Sequence, residues 1–150
     1  MRRAAPLALL GALACTAPPA PQAPAAPEVE YLTSAAMADL PFSSAVRVGH
    51  LLFLSGQLGT DSTNTLVPGG IAAETRQAMD NIKAVLERNG SSMDQVVKCL
   101  VMLADIGEWA EMNKVYVTYF PNHRPARSAF GATGLALGGR LEIECIATVR

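Results

Sequence analysis

The sequence is poor in the residues that several function classes require. Positive charge is not in excess: 12 Lys and Arg stand against 13 Asp and Glu, a formal net charge of -1. No stretch gathers the basic patch that nucleic acid demands. Histidine occurs twice, at His50 and His123, beside turn signals and without ligand spacing, so no metal site is expected. Cysteine occurs three times. Cys99 and Cys145 lie in apolar strand patterns and read as buried free thiols rather than as a disulfide or a metal pair. The apolar run Ala4 to Ala14 is too short to span a bilayer. Gly131, Gly134, Gly138 and Gly139 cluster, but a strand pattern follows them. The N–H cradle of a phosphate loop, which needs a helix there, is therefore missing, and these glycines read as turn residues.

What is present suits one globular domain. The chain has 150 residues, half of them apolar and 17% charged. Its start reads differently. Arg2 and Arg3 precede the apolar run, which ends in Ala12-Leu13-Ala14-Cys15. This resembles a bacterial lipobox, with Ala12 where Leu is usual, and makes Cys15 the expected lipidation site. Ala12-Leu13-Ala14 also fits an ordinary A-x-A cleavage site. Removing Arg2 and Arg3 leaves a charge of about -3. Thr16 to Pro27 holds five of the ten prolines and no charge, so it favours extended polyproline II and works as a semi-rigid tether. The expected division is a lipoprotein-type signal over 1–15, a Pro/Ala-rich tether over 16–34 and a folded domain over 35–150.

Within the domain, Ala45 to Val48 and Leu51 to Ser55 flank Gly49-His50 as a hairpin, and 61–70 is a loop rich in polar residues, Pro and Gly. Ile71 to Asn89 is the clearest helix. Ile71, Thr75, Ala78, Met79, Ile82, Val85 and Leu86 share one face, and Asn89-Gly90 supplies the stop. Val96 to Leu103 is apolar on both parities except Lys98, as suits a central strand covered on both faces. A second helix is expected from Asp105, with Glu108 completing a capping box. Trp109, Met112, Tyr116 and Phe120 form its inner stripe, and Pro121 ends it. The order is ββαβαββ, each helix linking strands in βαβ fashion. With helices on one face of the sheet, the other needs cover, and a second copy of the chain is the economical source.

The last stretch carries two charged residues that solubility alone does not explain. Arg127 lies in a small, mostly apolar run behind Pro125. Glu142 lies near the start of a strand over 141–149, in which Leu141, Ile143, Cys145, Ala147 and Val149 form an apolar face and Glu142 and Glu144 share the other. An Arg fork grips a carboxylate through two parallel hydrogen bonds. A nearby Glu can activate water or shuttle a proton. The plainer reading pairs Arg127 with Glu142 as a structural salt bridge.

Pro125-Ala126-Arg127-Ser128 followed by Leu141-Glu142-Ile143-Glu144-Cys145-Ile146-Ala147 resembles the C-terminal signature of the RidA (YjgF) family of enamine/imine deaminases. Ser55-Gly56-Gln57, the helix segment 75–82 and Met112-Asn113-Lys114-Val115-Tyr116 extend the match over roughly residues 35 to 150. The resemblance implies an α+β, chorismate-mutase-like ββαβαββ domain assembled as a homotrimer with clefts between subunits. It implies roles as well. Arg127 would hold the substrate carboxylate, and Glu142 would position or activate water. Ser55 and Gly56 would line the amine end, with Asn113 close by across the interface. Phe42 would line the cleft where the family usually has Tyr, and Ala129 takes the place where many members have Cys. The reaction would be hydrolysis of an imino or enamino acid to a keto acid and ammonia, with no cofactor and no nucleic-acid partner. Membrane contact would come only through the lipid anchor. The signal places the protein in a bacterial cell envelope, lipid-anchored and periplasm-facing, or else secreted or periplasmic and soluble. A second class also fits: a non-catalytic lipoprotein that binds small carboxylates in the same intersubunit cleft.

Overall fold

The computed structural model describes residues 25–34 and 38–149. Among them seven strands form one sheet: β1 (Val29–Leu32), β2 (Ala45–Val48), β3 (Leu51–Leu54), β4 (Gln57–Leu58), β5 (Val96–Leu103), β6 (Ala126–Gly131) and β7 (Leu141–Thr148). Helices α1 (Gly70–Arg88) and α2 (Trp109–Tyr116) complete the domain. The sheet order is β1-β2-β3-β7-β5-β6, and β4 pairs with the other end of β7 from β3. Only β5 and β6 run parallel, joined through α2, while α1 carries the chain from β4 over β7 to β5. This is the expected ββαβαββ order with two additions, β1 and β4. β1 forms within the stretch read as tether, where Val29, Tyr31 and Leu32 pair with β2. The signal, Cys15 and residues 16–24 of the tether lie outside the described residues.

The core follows from the helix stripe. Ile71, Thr75, Ala78, Met79, Ile82, Val85 and Leu86 are all buried, as the 3.6-residue period predicts. They cover Leu52, Leu54, Cys99, Val101, Leu103, Leu141, Ile143, Cys145 and Ala147 of the sheet. Truncating one of these, Ile82 for example, would cost about 2–5 kcal/mol. Gly90, at a φ of 75°, closes α1. Ser91 N–H donates to Leu86 C=O and Gly90 N–H to Glu87 C=O, the paired bonds of a Schellman stop.

Three expectations need correction. First, Cys99 and Cys145 are joined by a disulfide. They occupy directly opposed positions on β5 and β7, a proximity that periodicity cannot reveal. Second, β5 is central but only one of its faces is covered within a chain. A bulge between Val96 and Lys98 shifts its phase, and Val97 is 45% exposed. Third, the second helix is α-helical only in its middle. Ile106–Glu108 and Val117–Tyr119 are 3-10 turns on either side of α2. Asp105 Oδ1 accepts from Gly107 N–H, but Glu108 does not complete the box, because its carboxylate is bonded to Arg140. Trp109, expected on the inner stripe, is 45% exposed, whereas Met112, Tyr116 and Phe120 are buried.

Candidate active site

Strand register decides where the two charged residues point. Arg127 of β6 is level with Cys99 of β5, and Cys99 is level with Cys145 of β7. Side chains in one such row share a face, and both cysteines lie beneath the helices. Arg127 accordingly meets α2. Its Nη1 donates to Asn113 Oδ1 at 2.6 Å, and its guanidinium carbon lies 4.6 Å from the ring centre of Tyr116 and 5.8 Å from that of Trp109. No carboxylate among the described residues pairs with it, so one edge of the fork is held and the rest is uncommitted.

Glu142 has the opposite parity. It is level with Met102 of β5 and Leu58 of β4 and lies on the sheet face away from the helices. β5 stands between its strand and that of Arg127, so within one chain the two form no salt bridge. Gly56 lets the Glu142 carboxylate come close: a Cβ there would lie 1.9 Å from its Oε1. Burial raises the Glu142 carboxyl above its usual range, and the like charge of Glu144 adds to the rise. Glu142 makes no ion pair among the described residues. A half-buried carboxyl with a raised pKa and no cation is suited to taking and returning a proton.

Of the remaining expected residues, Asn113 joins the Arg127 group and Gly56 the Glu142 group. Ser55, just past β3, donates its hydroxyl to Ser43 C=O at 2.6 Å. Gln57 Nε2 donates to the carbonyls of Ser55 and Gly56, which fixes the turn that faces Glu142. Phe42 precedes β2 and is 49% exposed. Asn113 belongs to the Arg127 group through a bond within the same chain, so it need not reach Arg127 across an interface. Sequence reasoning missed Trp109 and Tyr116 as neighbours of Arg127. Their i, i+4, i+7 spacing with Asn113 is the signal that could have found them. It also missed the clasp in which the Glu74 carboxylate accepts from Arg140 N–H at 2.8 Å while the Arg140 side chain reaches Glu108. That clasp fixes the turn entering β7, one residue before Leu141. Among the described residues no three His, Cys, Asp or Glu side chains gather as a metal ion would require.

The open sheet face is apolar around the carboxylates. Leu51, Phe53, Val97 and Phe130 are exposed, and Leu100, Met102 and Ile146 are half-buried. Fold and site together define a small α+β protein with a carboxylate-bearing apolar sheet face and an unpaired guanidinium at the sheet edge.

Residues 33–149 match the family model described as Endoribonuclease L-PSP, and the chain belongs to that family, the RidA (YjgF) family. It is 47% identical over 117 residues to Protein HMF1 of Saccharomyces cerevisiae, covering 78% of this chain and 91% of that one. It is 46% identical over 108 residues to the 2-iminobutanoate/2-iminopropanoate deaminase of Bos taurus, covering 71% and 79%. The crystal structure of YEO7_yeast superposes with a TM-score of 0.77 at 44% identity, covering 82% of this chain and all of that one.

Proposed function

We propose that this protein is an enamine/imine deaminase that hydrolyses reactive imino acids to keto acids and ammonia. One observation carries the reading. Arg127 and Glu142 are both half-buried, yet neither has a partner of opposite charge among the described residues. A structural salt bridge would have joined them. Instead, each keeps the capacity its chemistry needs, a fork for a carboxylate and a base for water. Relatives named as 2-iminobutanoate/2-iminopropanoate deaminases support the substrate class. The net charge of -1 favours this reading over the RNA cleavage that the family model's description mentions.

In the proposed reaction the substrate carboxylate lies in the Arg127 fork and its imine carbon near Glu142. The protonated imine is already electrophilic. The protein orients it, and Glu142 takes a proton from the attacking water and passes it to the departing amine. Ser55 and Gly56 line the amine end, and Phe42 closes the cleft without the hydroxyl of a Tyr. Because the two charged groups lie on opposite faces of the sheet, a cleft that holds both forms between copies. The apolar open face supports the same assembly, a homotrimer.

The location we propose is the cell envelope, through a lipid on Cys15. The apolar segment and proline tether support it, as does the Cys99–Cys145 disulfide, because such bonds persist in oxidising compartments. Cys15→Ser should release the protein from membranes. Unchanged membrane association would refute the anchor.

The deciding experiment measures ammonia release from a panel of freshly generated imino acids. Glu142→Gln should lower turnover about 10²-fold or more while keeping ligand affinity. Arg127→Ala should lose affinity and at least about tenfold of kcat/KM. A wild type that binds small carboxylates and releases no ammonia from any imino acid would instead be a binding lipoprotein.

A further inference from the structure

Three residues of α2 surround the Arg127 guanidinium. Trp109, Asn113 and Tyr116 lie at i, i+4 and i+7, one stripe of the helix. Asn113 ties one nitrogen at 2.6 Å. The Tyr116 ring lies 4.6 Å from the guanidinium carbon, nearer than Trp109 at 5.8 Å. That ring is itself fixed, being 6% exposed and packed 5.0 Å from the ring of Phe120. Its buried hydroxyl has no hydrogen-bond partner among the described residues. Burial pushes that hydroxyl up to about 12 against the pull of Arg127, so it is no phenolate counter-ion at neutral pH. What Tyr116 offers Arg127 is a π face.

The geometry points to Tyr116 as a positioning residue: its ring is the platform that holds the Arg127 fork ready for a carboxylate. The inference rests on the proposed reading of Arg127 as the carboxylate grip. A free Arg side chain loses several rotatable bonds when it grips a ligand. On this platform the order is already present before the ligand arrives, which strengthens binding without any new ligand contact. The ring also favours the charged, weakly hydrated guanidinium over its face. Since the contact exists in ground state and transition state alike, its loss should raise KM and leave kcat nearly unchanged.

Trp109 is the chain's single tryptophan, and its closeness to Arg127 makes its fluorescence a binding signal. The assembled full chain is titrated with 2-oxobutanoate, a stable keto acid, and KM and kcat are measured in parallel. Arg127→Ala should abolish binding. If it binds as wild type does, the carboxylate reading falls and the platform with it. Given that loss, Tyr116→Phe should bind within about twofold of wild type. Tyr116→Leu should raise Kd and KM together by about threefold to thirtyfold, with kcat within about twofold. A packing defect alone would reduce the folded, active fraction and leave Kd unchanged. An unchanged Kd in folded Tyr116→Leu overturns the proposal while leaving the role of Arg127 intact. Equal losses in the Phe and Leu variants also overturn it. Should Tyr116→Leu fail to fold, progressively fluorinated phenylalanines at position 116 keep the shape and weaken the π face. Kd should then climb with each fluorine, and a flat series overturns the platform.

Discussion

Cys99 and Cys145 stand directly opposite each other on β5 and β7 and are bonded to one another, and Arg127 is level with Cys99 on the next strand. The bond ties together two strands whose cysteines are 46 residues apart in sequence. Closing such a loop restricts the unfolded chain by roughly 4 kcal/mol in the chain-entropy account. The double variant Cys99→Ala/Cys145→Ala should lose about 2–4 kcal/mol in urea unfolding. Alkylation of the unreduced, denatured protein should leave both cysteines unlabelled, and reduction should expose them. Wild-type stability in the double variant would show that the bond contributes nothing.

Gly56 leaves room for the Glu142 carboxylate, because a Cβ at that position would meet Oε1 at 1.9 Å and Cδ at 2.8 Å. Gly56→Ala must therefore displace the carboxylate or open the turn between β3 and β4. Turnover should fall about tenfold or more, since a displacement of about 1 Å is enough to spoil an attack geometry. Ligand affinity, which the proposed reading assigns to Arg127 on the other face, should fall less. Full turnover in Gly56→Ala would mean that Glu142 does not work from this position.

The acid limb of the pH profile should report Glu142. As a base it acts ionised, so kcat/KM should drop as pH falls through its raised pKa. Glu144→Gln removes a like charge and should move that limb to lower pH. Stability runs with the opposite sign. The folded chain keeps this proton at a pH where the unfolded chain has released it. The stabilisation is complete below the unfolded carboxylate pKa and is lost as pH rises through the folded one. Glu142→Gln should flatten that decline in a melting series from acid to neutral pH while abolishing most turnover. A Glu144→Gln profile that coincides with wild type would remove Glu144 as a cause.

How much of this the sequence disclosed depends on whether a feature is local. α1 was legible to within a residue at each end because seven apolar or small positions repeat at the helical period and Asn89-Gly90 closes it. β5 was legible at Val96–Leu103 because it is apolar on both parities except at Lys98. β1 was hidden behind the proline tether, and it forms only because β2 offers an edge at Ala45–Val48. The disulfide and the opposed directions of Arg127 and Glu142 both depend on β5 lying between β6 and β7. That is a matter of strand order, which no local period encodes. The C-terminal motif pointed to Arg127 and Glu142 as candidates, but not to their separation within one chain.

Assembly should depend on the apolar open face. Phe53 is 38% exposed there, level with Ile146 of β7. If the proposed trimer uses this face, Phe53→Lys should leave the circular dichroism of the domain intact and shift light scattering toward monomer, with ammonia release lost in proportion. An assembly that survives the change would place the interface elsewhere.

If Arg127 and Glu142 carry the reaction as proposed, their opposed directions make a solitary chain chemically silent. It can hold an anion on one side and a proton on the other, but it cannot bring both to one carbon. Catalytic competence then belongs to the encounter of chains rather than to any one of them, and it appears only above the concentration at which copies meet. Two inactive parents, one without the guanidinium and one without the carboxylate, carry a complete set between them. In a mixed assembly, some clefts inherit the sound half of each.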